Sequence, residues 1–252
     1  MRVSENDPVR YDVEAGVATL TLDSQHNRNA LSKALVAGLF AGIDRAEADD
    51  AVKVVVIRAA GTVFCAGADM SEATGEGMEE GARAIVELQR RIVASPKPFV
   101  ARVHGAVRAG GIGIVAACDV AVSTTTATFA LTEVRLGLAA SVISLTVLPR
   151  MTPRAASRTL LTGESFDGAA AQEMGLVTTA VAEDRLDEEL DAVLSGLGKG
   201  HPQGLREGKR LLNADLLADI EERGEERAAL SARLFGSDAA REAMLAFLSR
   251  KR

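Results

Sequence analysis

The chain has 252 residues, with 29 Lys and Arg against 35 Asp and Glu for a net charge of −6, and 47% of its residues are hydrophobic. That length and apolar content support a buried core in one or two domains and exclude a disordered chain. The acidic balance argues against a general nucleic-acid or anionic-membrane surface and leaves only local basic patches for a phosphate-bearing ligand.

Tyr11 to Asp23 alternates apolar and polar residues around Glu14-Ala15-Gly16, which predicts a hairpin whose second strand is 17–22. Leu31 to Ala48 has helical apolar spacing. Val52 to Arg58 is a β-branched run, as expected of a strand buried on both faces, and Gly61 closes it. A glycine-punctuated loop, 64–70, comes next. Ser71 to Gly81, with three glycines and four glutamates, reads as a mobile surface loop, and a helix is expected from Ala82 to Val93. Pro98 to Val107 is the next strand, leading into Arg108-Ala109-Gly110-Gly111-Ile112-Gly113 and an apolar helix to Cys118. Asp119 to Ser123 and Thr128 to Val134 read as short strands, and from Ser141 onward the pattern is helical. Strand-then-helix units followed by helices alone predict a layered α/β core, 1–190, with a helical C-terminal extension, 191–252.

Two cysteines, Cys65 and Cys118, cannot build a disulfide framework, and His26, His104 and His201 are too scattered to form a zinc site with them by local spacing. The first eight residues carry two acids where a signal peptide needs a basic start, and no apolar run reaches the ~18 residues of a membrane span. A cytoplasmic protein with no metal, no nucleic acid and no membrane partner is expected. His104, between a strand and Gly105, reads as structural.

Gly111-x-Gly113-x-x-Ala116 matches a dinucleotide fingerprint, with Glu133 twenty residues further on. A dinucleotide fold places that fingerprint at its first strand, whereas here two or more strands and two helices precede it. Consecutive glycines at a helix start let the backbone approach a ligand, and the free N–H groups there stabilise negative charge. The alternative is that Gly110 and Gly111 only permit close strand–helix packing. A second backbone-rich loop, Ala66-Gly67-Ala68-Asp69, also follows a strand, and two such loops can each offer one N–H to a single oxygen, as an oxyanion hole requires. No Gly-x-Ser-x-Gly elbow or Walker loop occurs.

Ser24–Ser32, Phe64–Met70, Val103–Asp119, Phe129–Leu138 and Gly163–Val177 resemble, in order and spacing, the signature blocks of the crotonase family, the enoyl-CoA hydratase/isomerase superfamily. The resemblance implies a core of stacked ββα turns forming a superhelix and a C-terminal helical region that packs across subunits, giving a homotrimer or a dimer of trimers. It implies an acyl-CoA substrate, coenzyme A being part of the substrate rather than a separate cofactor. Matched residue by residue, the two oxyanion N–H donors correspond to Ala68 and Gly110, with Gly111 beside them. Arg28 to Ala30 and Ala66 to Met70, including Gly67 and Asp69, correspond to the CoA-contacting surface, and Lys251 to a tail position that can reach a neighbour's CoA phosphates.

Many hydratases of this family carry two glutamates that hold one water. Here Gly113 takes the first position and Glu133 the second. A lone carboxylate beside an enolate suffices for a 1,3-proton shift, so the resemblance leaves a Δ3-Δ2-enoyl-CoA isomerase open. The pattern is also similar to a single-glutamate subgroup that hydrates branched, glutaconyl-type acyl-CoAs, in which Arg108 would read a distal carboxylate. The family's glycine-rich stretch after the second acid is replaced by Ala140-Ser141-Val142-Ile143-Ser144, where the Ser141 hydroxyl could serve water, and Glu72 could lend a second acid if its loop closed. Hydration of a 2-enoyl-CoA is the expected activity, with isomerisation and non-catalytic acyl-CoA binding as alternatives.

Overall fold

The computed structural model describes residues 7–72 and 77–249. Strands β1 (Val9–Glu14) and β2 (Val17–Leu22) form the predicted hairpin; Ala15 and Gly16 both have positive φ, as a type I′ turn requires. Helix α1 (Lys33–Ala48) follows, N-capped by Ser32, whose Oγ accepts the Leu35 N–H at 3.2 Å. Next come β3 (Val54–Ala59), β4 (Val63–Cys65), α2 (Gly77–Ala94), β5 (Phe99–Val103), β6 (Ala106–Arg108), α3 (Gly110–Ala117), β7 (Val120–Thr124) and β8 (Thr128–Ala130). A 3-10 turn, Thr132–Leu136, leads to α4 (Ser141–Arg150), α5 (Pro153–Thr162), β9 (Ser165–Asp167), α6 (Gly168–Glu173) and β10 (Thr179–Val181). Helices α7 (Leu186–Gly198), α8 (Pro202–Leu212), α9 (Ala214–Phe235) and α10 (Asp238–Ser249) complete the described chain.

The strands sort into two sheets, ordered β1-β2-β3-β5-β7-β10 and β4-β6-β8-β9. Within them β2-β3-β5-β7-β10 and β4-β6-β8 pair in parallel. Successive strand pairs β3/β4, β5/β6 and β7/β8 therefore put one strand in each sheet before the chain turns into a helix, which is the expected stacked ββα core. Strand β3 is buried on both faces: Val55 and Ile57 join the main core, while Val54 and Val56 pack with Val100 and with Leu190 of α7. Position 190, where the sequence suggests a division, thus lies inside a helix that packs on the sheet.

Four boundaries differ from the sequence reading. The acidic stretch before Ala82 is not all loop: Gly77–Gly81 is the first turn of α2, where Glu79 and Glu80 complement the helix dipole. Residues 73–76 of the expected loop lie outside the described residues. The strand expected over 98–107 is two strands in different sheets, broken at Gly105, whose φ of +71° and close approach to the Thr62 carbonyl leave no room for a Cβ. Glu133 sits on the 3-10 turn rather than at a strand end. The region after Ser141 is not purely helical, because β9 pairs with β8 and β10 with β7. Three-residue strands carry no periodicity of their own, and their partners lie 35 or more residues away in the chain.

Helix α9 returns across α2 and α4 of the same chain. Gly224 allows the close approach, since a Cβ there would lie 2.8 Å from Val86 Cγ1. Among the described residues no helix is long and apolar enough to cross a membrane.

Candidate active site

A cavity of about 280 Å³ opens where the N-terminal ends of α1, α2, α3 and α4 meet the C-terminal end of α9. Its walls bring together Ala68, Asp69, Gly110, Glu133 and Ser141, residues scattered over 74 positions of the chain.

The direction of the Ala68 N–H follows from its neighbour. Gly67 O accepts the Leu31 N–H at 2.8 Å, and no described peptide bond is cis. In a trans peptide the C=O and N–H point opposite ways, so the Ala68 N–H points away from Leu31. The Gly110 N–H, at the first position of α3, has no intrahelical acceptor. The two loops touch: a Cβ on Gly67 (φ +93°) would meet Ala109 Cβ at 3.0 Å. Ala109 itself is held at φ 44°, ψ −116°, a strained conformation for a residue with a Cβ, and it sets the direction in which α3 starts. A Cβ at Gly110 would fall 2.6 Å from Leu31 Cδ1, so any side chain there would displace the end of Leu31.

Glu133 lines the same cavity as this pair. Its Oε2 is buried with no hydrogen-bond partner, and burial pushes its carboxyl up to about 7. A carboxyl titrating near neutrality can both take and give a proton at physiological pH.

The Asn27–Ala30 segment is locked to the second loop. Arg28 and Asn29 have positive φ, and the Arg28 carbonyl accepts the Ala66 N–H at 3.1 Å. Asn29, 1% exposed, accepts the Ser24 N–H and donates to the carbonyls of Ala60 and Val63, while Asn27 Nδ2 donates to Asp69 Oδ2 at 2.8 Å. The sequence reading did not single out these two asparagines. Their tolerance of left-handed φ is the only local signal, since the buried partners are remote. Asp69 also accepts from the Ser71 N–H and hydroxyl, which with Asn27 hold its carboxyl below the usual range. Ala30 is buried behind this loop, and its N–H donates to the Asn27 carbonyl.

Several predicted site residues do other work. Gly111 packs on Cys65, where a Cβ would lie 2.6 Å from Cys65 Cβ; the Cys65 thiol is buried and pushed up to about 12. Gly113 does not line the cavity. A Cβ there would lie 2.6 Å from Ile143 Cγ2 and 3.2 Å from Gln89 Oε1. Gln89, fully buried, donates to the Ile85 and Val142 carbonyls and accepts from Thr146 Oγ1 at 2.6 Å, fixing the wall from which Ile143 projects. The Ser141 hydroxyl donates to the Arg227 carbonyl at 2.9 Å, so it ties α4 to α9 instead of facing a water. The Arg108 guanidinium is outside the cavity and donates to the Val107 and Thr128 carbonyls and Thr128 Oγ1. Glu72 does line the cavity, but its Oε2 accepts the Lys33 N–H at 2.8 Å, at the start of α1. Arg28, Ala30, Ala66, Gly67 and Met70 lie behind or beside the cavity wall, Met70 being 48% exposed. His104 Nε2–H donates to the Gly61 carbonyl at 2.8 Å, a packing contact. Lys251 lies outside the described residues.

The chain is similar to known proteins in sequence and in fold. Residues 12–252 match the family model described as Enoyl-CoA hydratase/isomerase. The crystal structure of an enoyl-CoA hydratase from Mycobacterium avium is 48% identical, covers 97% of each chain and superposes with a TM-score of 0.92. An enoyl-CoA hydratase from Mycobacterium smegmatis is 33% identical over 96% of each chain, with a TM-score of 0.79. The rat mitochondrial enoyl-CoA hydratase domain-containing protein 3 is 37% identical over 180 residues, 69% of this chain and 59% of that one.

Proposed function

As the chain belongs to the enoyl-CoA hydratase/isomerase family, we propose that it hydrates a 2-enoyl-CoA to the 3-hydroxyacyl-CoA. The observation that carries this reading is that Glu133, whose Oε2 has no hydrogen-bond partner, lines the same cavity as Ala68, whose N–H points away from Leu31, and Gly110, whose N–H has no intrahelical acceptor. The thioester oxygen accepts both N–H groups, which stabilises the enolate formed when water adds at the β-carbon. Glu133, as carboxylate, takes a proton from the attacking water and returns it to the α-carbon. One water is added across the double bond and the carboxylate is regenerated.

The CoA portion is assigned to the surface of Arg28–Ala30 and Ala66–Met70, and the assembly to a homotrimer or dimer of trimers, in line with the family resemblance. A branched, glutaconyl-type chain rests on the motif pattern, and Arg108, the candidate reader of its distal carboxylate, has its guanidinium committed to the Val107 and Thr128 carbonyls and Thr128 Oγ1.

A second reading, Δ3-Δ2-enoyl-CoA isomerisation, is favoured by one observation: Ile143 packs against Gly113 where a second acid would stand. Mass spectrometry of trans-2-octenoyl-CoA after incubation tests the first reading. Gain of one water, lost in Glu133→Gln with acyl-CoA binding retained, is expected. No mass change with the 2-enoyl-CoA, but appearance of the conjugated thioester chromophore from a 3-enoyl-CoA, would replace hydration by isomerisation. No change with either would leave a binder of acyl-CoA.

A further inference from the structure

The cavity lined by Glu133, Ala68 and Gly110 is also walled by Val36, Ala37 and Phe40 of α1, Ile85 of α2, Val142 of α4 and Phe235 of α9. Substrate atoms there are the far end of whatever chain is attached to the thioester, so this lining sets what the acyl tail can be.

We propose that this enzyme selects an acyl-CoA with an uncharged, apolar tail and discriminates against chains ending in a carboxylate. The inference rests on the acyl-CoA reading of the site but not on whether the reaction is hydration.

Four acids line the cavity: Asp69, Glu72, Glu80 and Glu133. Among the described lining residues one base, Lys33, stands against them, and it is already spent. Its Nζ meets Glu80 Oε2 at 2.7 Å, and its backbone N–H donates to Glu72 Oε2. Two of the helix starts at this end of the cavity, those of α1 and α2, already carry acceptors or acids. Ser32 and Glu72 cap α1, and α2 begins with Glu79 and Glu80. Of the three hydroxyls in the wall, that of Ser32 accepts the Leu35 N–H and that of Ser141 donates to the Arg227 carbonyl, leaving the neutral hydroxyl of Ser231. A terminal carboxylate would therefore lose water against aromatic and aliphatic walls, with no unpaired cation among the described lining residues to receive it and like charges nearby. Arg108, the residue that could have reversed this balance, points its guanidinium into the β6–β8 backbone. A methyl-terminated tail meets none of these costs and gains from burial.

The test uses binding, so that it does not depend on turnover. Calorimetric titration of the purified protein compares octanoyl-CoA with 7-carboxyheptanoyl-CoA, which has the same chain length and a terminal carboxylate. Octanoyl-CoA is expected to bind at least tenfold more tightly, and Glu80→Gln, which releases Lys33, is expected to narrow that ratio by improving only the carboxylated ligand. Equal or tighter binding of 7-carboxyheptanoyl-CoA by the parent protein overturns the proposal. Failure of both ligands to bind overturns it together with the acyl-CoA reading. The tenfold preference in a protein that adds no water to 2-enoyl-CoAs supports it and sinks only hydration.

Discussion

Ile143 occupies the space into which a side chain at position 113 would project: a Cβ on Gly113 would lie 2.6 Å from Ile143 Cγ2 and 3.1 Å from its Cβ. Both atoms belong to a β-branched residue that is 1% exposed and stiff at χ1, so neither can swing aside cheaply. The glycine is thus a packing requirement of this particular core as well as the absence of an acid.

Restoring the acid at 113 is therefore expected to fail on its own. Gly113→Glu should cost about 1–3 kcal/mol from overpacking, plus the burial of a carboxylate, and should not raise hydration of straight-chain 2-enoyl-CoAs. Thermal melts of Gly113→Glu and of Gly113→Glu with Ile143→Ala check this. The double variant should regain part of the lost melting temperature, and a Gly113→Glu protein as stable as its parent would show that Ile143 yields.

Glu133 should leave its mark on stability as well as on rate. Its folded carboxyl titrates at about 7 against an ordinary 4.5, so between those values the folded state holds a proton that the unfolded chain releases. The parent consequently loses stability as pH rises from about 4.5 through about 7, by up to roughly 3 kcal/mol. Glu133→Gln, which cannot ionise, should melt near the parent at pH 4 and several degrees above it at pH 8. A constant difference across that range would mean that the carboxyl is not perturbed in the fold.

The same group predicts the rate profile. Hydration as drawn starts from the Glu133 carboxylate, so kcat/KM should rise with pH to a plateau, with an apparent pKa near 7. In Glu133→Gln kcat should fall by about 10²–10⁴ with little change in the dissociation constant for a saturated acyl-CoA. A rate that falls through pH 7 would show that the protonated acid begins the reaction.

Ala109 carries backbone strain next to the Gly110 N–H. Ala109→Gly keeps that N–H and removes the Cβ that disfavours φ 44°, so a gain of about 1 kcal/mol is expected, with turnover retained. Denaturant titration alongside kcat measurement separates the two effects. A loss of stability would show that the Cβ contact with the Gly67 loop outweighs the strain.

Lys209 is a buried cation on α8, 5% exposed, with Nζ at 2.8 Å from Asp119 Oδ2 and donating to the carbonyls of Ile92 and Lys97. Burial holds its ammonium below the usual lysine value. Lys209→Met strands Asp119, whose remaining partners are the Phe99 N–H and Asn213 Nδ2, and should cost about 3–5 kcal/mol. A matched Lys209→Met with Asp119→Asn should recover much of that in the same melts.

Much of the layout was legible before any coordinates. The β1–β2 hairpin was marked by Ala15-Gly16 between alternating strands, and β3 by its β-branched run, because both are local patterns. Glu133, Ala68 and Gly110 were picked out through the motif resemblance, and the structure lines one cavity with all three. The interior roles were not. Gln89, Thr146 and Ile143 carry ordinary residue types whose meaning lies in contacts across three helices. The same holds for Asn29, whose acceptors at Ala60 and Val63 lie more than 30 residues away.

The amino-acid order by itself determined the alternation of strand and helix, the two glycine-bearing loops with their backbone donors, and one acid rather than two. These follow from short-range periodicity, backbone freedom and the identity of the residue at each position. Only the tertiary structure decided which side chains share the cavity. It committed Arg108 and Ser141 to backbone carbonyls, paired Lys33 with Glu80, placed Ile143 over Gly113 and buried Glu133 Oε2 without a hydrogen-bond partner. Those outcomes depend on burial and on partners remote in the chain, and a carboxyl's proton affinity, like a pocket's preference for charge, is a property of what surrounds it rather than of its place in the sequence.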